Sequence, residues 1–161
     1  MNKKYDKNNK TIEKNIETIE IHLKKIKKLL VPIQSLFPFT SEKMLQLTLI
    51  EEAFCESLIY RFMHVQDTLS GKIFSQLLDI LKEQTEEFSF IDKLNLLEKL
   101  GIIENAYQWR NLRDLRNHFS HDYIDKPELQ ADFLNKLNQS IPVLMACLDK
   151  VKKRLPQNKY L

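Results

Sequence analysis

The chain has 161 residues, with 25 Lys and Arg against 22 Asp and Glu, and only 2 Gly. That length suits one domain with a real core and is short for two, and 43 % hydrophobic with 29 % charged residues is a globular composition, not a disordered one. Nucleotide-cradling loops and Rossmann turns spend glycine at close backbone approaches, so so few glycines argue against both and point to a helical protein. Charge is unevenly spread: residues 1–30 carry +5, residues 31–50 balance, residues 51–104 carry −6 and residues 105–161 carry +4. Basic ends around an acidic middle suit either a polyanion partner along one face or an ordinary solvated surface.

The first ten residues, MNKKYDKNNK, read as a frayed polar tail without an apolar signal segment. From Thr11 the apolar positions Ile12, Ile16, Ile19, Leu23, Ile26 and Leu30 form one seam of an amphipathic helix, which Pro32 and Pro38 are expected to stop. Thr40 or Ser41 caps a second, long helix to about Leu69, where Ser70-Gly71 ends it; its broad apolar content places it centrally. A third helix covers about Lys72 to Thr85, and a short one, from about Ile91 to Leu100, closes at Gly101. A further helix runs from about Ile103 towards His121, Asp125-Lys126-Pro127 is a turn, and the last helix extends from Glu128 to about Leu155. The expected fold is all-α, an antiparallel, up-and-down bundle of four to five helices spanning residues 11–155, with tails at 1–10 and 156–161. No apolar stretch reaches the roughly 18–20 residues of a membrane span. Cys55 and Cys147 lie in helical patterns without metal-ligand spacing, so both read as buried thiols in a reducing, cytoplasmic protein, with neither a metal nor a cofactor expected.

The segment from Trp109 to Tyr123 concentrates chemistry: Arg110, Arg113, Arg116, Asn117, His118 and His121 fall within a dozen residues. At about 100° per residue, Trp109, Leu112, Leu115 and Phe119 form the packing face, and Arg116 projects into it. An arginine so aimed needs its donors satisfied, either by a carboxylate such as Glu52, Glu56 or Asp67 or by a phosphate in a cleft. On the second helix Glu56, Tyr60, His64 and Asp67 form one polar stripe, which by itself suggests an Asp–His contact, while Arg61 lies off it.

Arg116-Asn117-x-x-x-His121-x-Tyr123 resembles the Arg-x4-His signature of HEPN domains, and its trailing His-x-Tyr resembles the HepT branch, the toxins of HepT/MNT toxin–antitoxin pairs; Arg61-Phe-x-x-x-Gln66-Asp67 is also HepT-like. Arg113 and His118 repeat the short spacing, but Asn117 and Tyr123 single out the 116/121 register. The resemblance implies a metal-independent endoribonuclease of a type II-like or type VII-like toxin–antitoxin system that cleaves cellular RNA (tRNA or mRNA). In that role His121 is the acid/base, Arg116 stabilises the phosphorane and Asn117 orients the backbone or the ring; Tyr123 is the residue that a minimal nucleotidyltransferase (MNT) antitoxin adenylylates. Arg61 and Asp67 are candidates for the cleft wall. Arg116 and His121 differ by about 140° on an ideal helix, so their convergence needs the long Arg side chain to reach round, the helix to end before His121, or pairing with a second subunit; the resemblance implies a homodimer whose cleft joins two motifs. The alternative is a non-catalytic HEPN module that binds a nucleotidyltransferase or a nucleotide.

Overall fold

The structure, a computed structural model, describes residues 3–122 and 125–155; for 3–9 and 118–122 it describes the backbone alone. All regular structure among these residues is helical, as the composition predicts: α1 (Lys3–Ile33), α2 (Ser41–Leu45), α3 (Leu49–Thr68), α4 (Phe74–Ile80), α5 (Phe90–Lys99), α6 (Ala106–Asp122) and α7 (Pro127–Arg154). No helix among the described residues is long and apolar enough to cross a membrane.

The seam of α1 is the backbone of the core. Ile12, Ile16, Ile19 and Ile26 are fully buried and Leu23 nearly so, each burial supplying roughly 1.5–3 kcal/mol. This face packs on α3 and α4. Asn15 bonds Gln76 while His22, two turns later, meets Arg61, so the two strokes of chain run antiparallel. The same logic sets α6 against α3 and α4: Trp109, 1 % exposed, meets Phe74 edge to face at 4.8 Å, and Arg116 meets Asp67. α5 returns along α6, with its Glu98 carboxylate accepting from the Ala106 amide and Phe90 facing Arg113. α7 packs on α2 and α3, and its Asn135 side chain clamps the Phe39 amide and carbonyl at 2.8 and 2.9 Å.

Four boundaries differ from the sequence expectation. α1 begins at Lys3 rather than near Thr11, so the backbone of the expected polar tail is helical from there. Pro32 lies within α1, whose last residue is Ile33: a proline so near the C-terminus removes one amide donor without ending the helix before itself. The long second helix is cut at Gln46–Thr48, where Thr48 and Glu51 make a reciprocal capping box that restarts the chain as α3. Leu45, Leu49 and Ile50 around this break are 75 %, 82 % and 68 % exposed, so the apolar content that suggested a central helix is partly on the surface. Finally, Ser70-Gly71 does not stop α3. The chain passes through one π-helical stretch, Leu69–Ile73, directly into α4, which ends at Ile80. Gly101 does close α5, at φ 73°, the left-handed conformation that glycine adopts without a Cβ clash.

Candidate functional site

Arg116 sits two turns along α6 from the buried Trp109, on the face turned to α3. Asp67 lies one residue before the end of α3 and faces it. The two form a fork: Arg116 Nη2 donates to Asp67 Oδ2 at 2.9 Å, and Nε lies 2.9 Å from Oδ1. Arg116 Nη1 also donates to Asn117 Oδ1 at 3.3 Å. Of the three carboxylates that the sequence offered to Arg116, Asp67 is the partner. One hydrogen bond and a second close nitrogen–oxygen approach to the same carboxylate hold the guanidinium beside Asp67.

The fork borders an open pocket of about 230 Å³ lined by Gln66, Asp67, Ser70, Gly71, Phe90, Arg113, Arg116 and Asn117. The π-helical stretch supplies one wall. Its extra residue per turn brings Ser70 and Gly71 to the pocket, and the buried Gln66 donates to Ser70 Oγ at 3.2 Å to hold the turn. A Cβ built on Gly71 would meet nothing within 4 Å, so glycine here leaves open space above the pocket floor. On the opposite side the Arg113 guanidinium lies 4.2 Å from the centroid of the Phe90 ring. Two guanidinium groups against one carboxylate give the pocket a positive balance suited to an anion.

Of the residues singled out in the sequence, Arg116, Asn117 and Asp67 are brought together here. Arg113, the arginine of the alternative spacing, lines the same pocket. Arg61 does not join them: six residues before Asp67, it points from α3 to α1, where its Nη1 lies 3.1 Å from His22 Nδ1. His64 makes no contact of the expected kind with Asp67; its ring stacks on His22, centroids 4.8 Å apart and planes 9° from parallel. Tyr123 lies outside the described residues. His121 enters only through its backbone in α6, five residues beyond Arg116. The sequence places Gln66 in the HepT-like stretch and Ser70-Gly71 at a helix end but gives none of them, nor Phe90, a place in the site. Ser70 stands three residues after Asp67, a helical spacing that carried a signal, whereas Phe90 comes from a distant helix and carried none.

No family model matches the chain, and no curated protein matches it. Among solved structures, it is similar to the Haemophilus influenzae protein HI0074, described as revealing the fold of a substrate binding domain of a nucleotidyltransferase. The TM-score is 0.67 at 18 % identity, over 85 % of this chain and 98 % of that one, which is a likeness of fold.

Proposed function

We propose that the chain is a HepT-like endoribonuclease toxin, acting on cellular RNA (tRNA or mRNA) and neutralised by a minimal nucleotidyltransferase. The observation that carries this reading is the Arg116–Asp67 fork with Asn117 beside it on an open, positive pocket, on the helix that also holds His121. RNA brings its own nucleophile. A base takes the proton of the 2′-OH, the oxygen attacks the adjacent phosphorus, and an acid returns a proton to the departing 5′-oxygen. The products are a 2′,3′-cyclic phosphate and a 5′-hydroxyl end. No metal is needed for this balance, and neutral pH suits a histidine to the proton steps. His121 has that role; Arg116, oriented by Asp67, faces the charge that builds on phosphorus, and Asn117 positions the nucleotide backbone. Arg116 and His121 do not share an ideal helix face, so two copies in a homodimer complete the cleft. The likeness of fold to HI0074, described with a nucleotidyltransferase, supports a partner of that class, with Tyr123 as its adenylylation target.

A second reading has its own support. Arg116 already has protein partners in Asp67 and Asn117, as it would in a non-catalytic module that binds a nucleotidyltransferase or nucleotide without cutting RNA. One experiment separates the two: purified protein, Arg116→Ala and His121→Ala are incubated with total RNA in excess EDTA and the ends mapped. Cleavage by the parent alone, with 2′,3′-cyclic ends, is expected. Intact RNA in all three samples would leave the binding module as the function.

A further inference from the structure

Away from the pocket, the seam between α1 and α3 holds a second group of polar side chains. Arg61, partly buried, makes its hydrogen bond to His22 Nδ1 at 3.1 Å, and among the described residues it meets no carboxylate. Arg116, by contrast, is held by Asp67. The His22 and His64 rings lie stacked beside Arg61, and the Tyr60 ring stands edge to face with His64 at 4.9 Å. Tyr60 is 56 % exposed, and its ring centroid is 6.0 Å from the Arg61 guanidinium carbon. Lys14, Thr18, His22 and Lys25 fall at helical spacing on one stripe of α1, and that stripe contains no acid. Burial first, and then His64, Arg61 and Lys25, disfavour a positive charge on His22. Glu56, one turn before Tyr60 on the α3 stripe, lines with Tyr60 the apolar pocket of Met44, Ile59 and Leu134 and makes no ion pair with Arg61.

An arginine and a lysine that form no ion pair among the described residues, with an exposed aromatic ring next to the arginine, make a place for an anion joined to a flat ring. Stacking on one face of Tyr60 is tolerant of base identity, and the guanidinium and ammonium take a phosphate. The ring and the guanidinium are close enough for the base and phosphate of one nucleotide to reach both. Bases available for stacking are those of single strands, since in a duplex both faces are already covered.

We propose that Tyr60, Arg61 and Lys25 form a nucleotide-binding patch for single-stranded RNA, with the phosphate between Arg61 and Lys25 and the base on Tyr60. It rests on the ribonuclease reading above for the identity of the polymer and adds to it a place, outside the Arg116 pocket, where the strand is held.

The test uses a fluorescent, fully 2′-O-methylated single-stranded oligoribonucleotide of about 12 nucleotides, a length in the range of known single-strand sites. Without a 2′-OH it cannot be cut, so anisotropy reads binding alone. Arg61→Gln and Lys25→Gln are expected to weaken binding several-fold at low salt, and each to lower the slope of log K against log salt by about 1. Tyr60→Ala is expected to weaken it about tenfold with the slope unchanged. Thermal melts confirm that each variant is folded; should Arg61→Gln fail to fold, Lys25→Gln, on an exposed position of α1, carries the same prediction. Parent-like binding by the folded Arg61 and Lys25 variants overturns the patch, and parent-like binding by Tyr60→Ala overturns the stacked base. Cleavage of unmodified RNA is followed in parallel. If the parent cuts RNA and the variants bind normally, the patch falls and the nuclease stands. If the parent does not cut but binding depends on Arg61, the nuclease falls and the patch stands.

Discussion

The functional weight placed on Arg116 depends on one carboxylate. Asp67 accepts a hydrogen bond from the arginine's Nη2 and lies 2.9 Å from its Nε, yet the side chains of Arg116 and Asp67 are 33 % and 46 % exposed, so water screens the pair heavily. Such a pair contributes about 1 kcal/mol or less to stability. Its effect on geometry is larger, since it holds the guanidinium at the pocket wall. Asp67→Asn keeps the shape and removes the charge. The variant is expected to melt within a few degrees of the parent while RNA cleavage falls about 10- to 100-fold, the range expected when a charge-stabilising group is displaced by a fraction of a bond length to an ångström. Thermal melts and kcat/KM on one RNA check both halves; cleavage equal to the parent's would mean that the pair serves folding alone. At this scale the sequence was informative about Arg116, because a guanidinium on an apolar sector demands a partner, and Asp67 was among those it offered. It misplaced Arg61 and His64 for a physical reason. Periodicity tells which residues share a stripe of α3 but not which neighbouring helix that stripe meets, and here α1 supplies His22, whose ring attracts both.

The helices themselves were legible where one apolar seam dominates. α5, α6 and α7 follow their patterns closely, α1 keeps its expected seam but begins at Lys3 and passes Pro32, and Gly101 ends α5 as a left-handed residue should. The other failures occur in the run between residues 40 and 85, where apolar residues lie on all sides and period alone cannot show a break. Thr48-x-x-Glu51 is a capping box written into the sequence, obscured by the hydrophobic residues around it. The π-helical stretch has no such pattern, because the extra residue is absorbed by packing and not by any one residue type. It is nonetheless what carries Ser70 and Gly71 to the pocket. The pairing of α1 with α3 has a consequence that pH reveals. Burial, followed by the charges of His64, Arg61 and Lys25, lowers the pKa of His22 below its usual 6.5. The folded protein then binds fewer protons than the unfolded chain as pH passes through that region, so stability is full above about pH 6.5 and falls as pH drops below it. A series of urea melts from pH 7.5 to 5 is expected to show this loss, and His22→Gln, which cannot titrate, is expected to flatten it. An unchanged slope in His22→Gln would place the titration on another group.

Across the whole molecule, the two cysteines test whether the bundle opens as one unit. Cys55 lies on α3 and Cys147 on α7, both buried, and the core around them draws side chains from all the long helices without a gap between two separate clusters. Burial pushes the Cys55 thiol up to about 11, helped by Glu51, Glu52 and Glu56, and the Cys147 thiol up to about 12 despite Lys150. At pH 8 the reactive thiolate is then about one part in a thousand at Cys55 and about one in ten thousand at Cys147. Access does not separate them: both are 3 % exposed, and each borders a pocket, Cys55 one formed with Met44, Met63 and Leu134 and Cys147 one formed with Ile103 and Trp109. A disulfide reagent added to the native protein at pH 8 should therefore modify Cys55 slowly and Cys147 more slowly still. If residues 11–155 fold as a single cooperative domain, rising urea will accelerate both thiols along one curve that overlays the loss of helical circular dichroism. Mass spectrometry of the labelled peptides follows each site separately. Should Cys147 become reactive at a urea concentration where Cys55 is still protected, α7 opens before the α1–α3 core. The pocket between α3 and α6 would then belong to a more stable unit than the last helix, which packs on both.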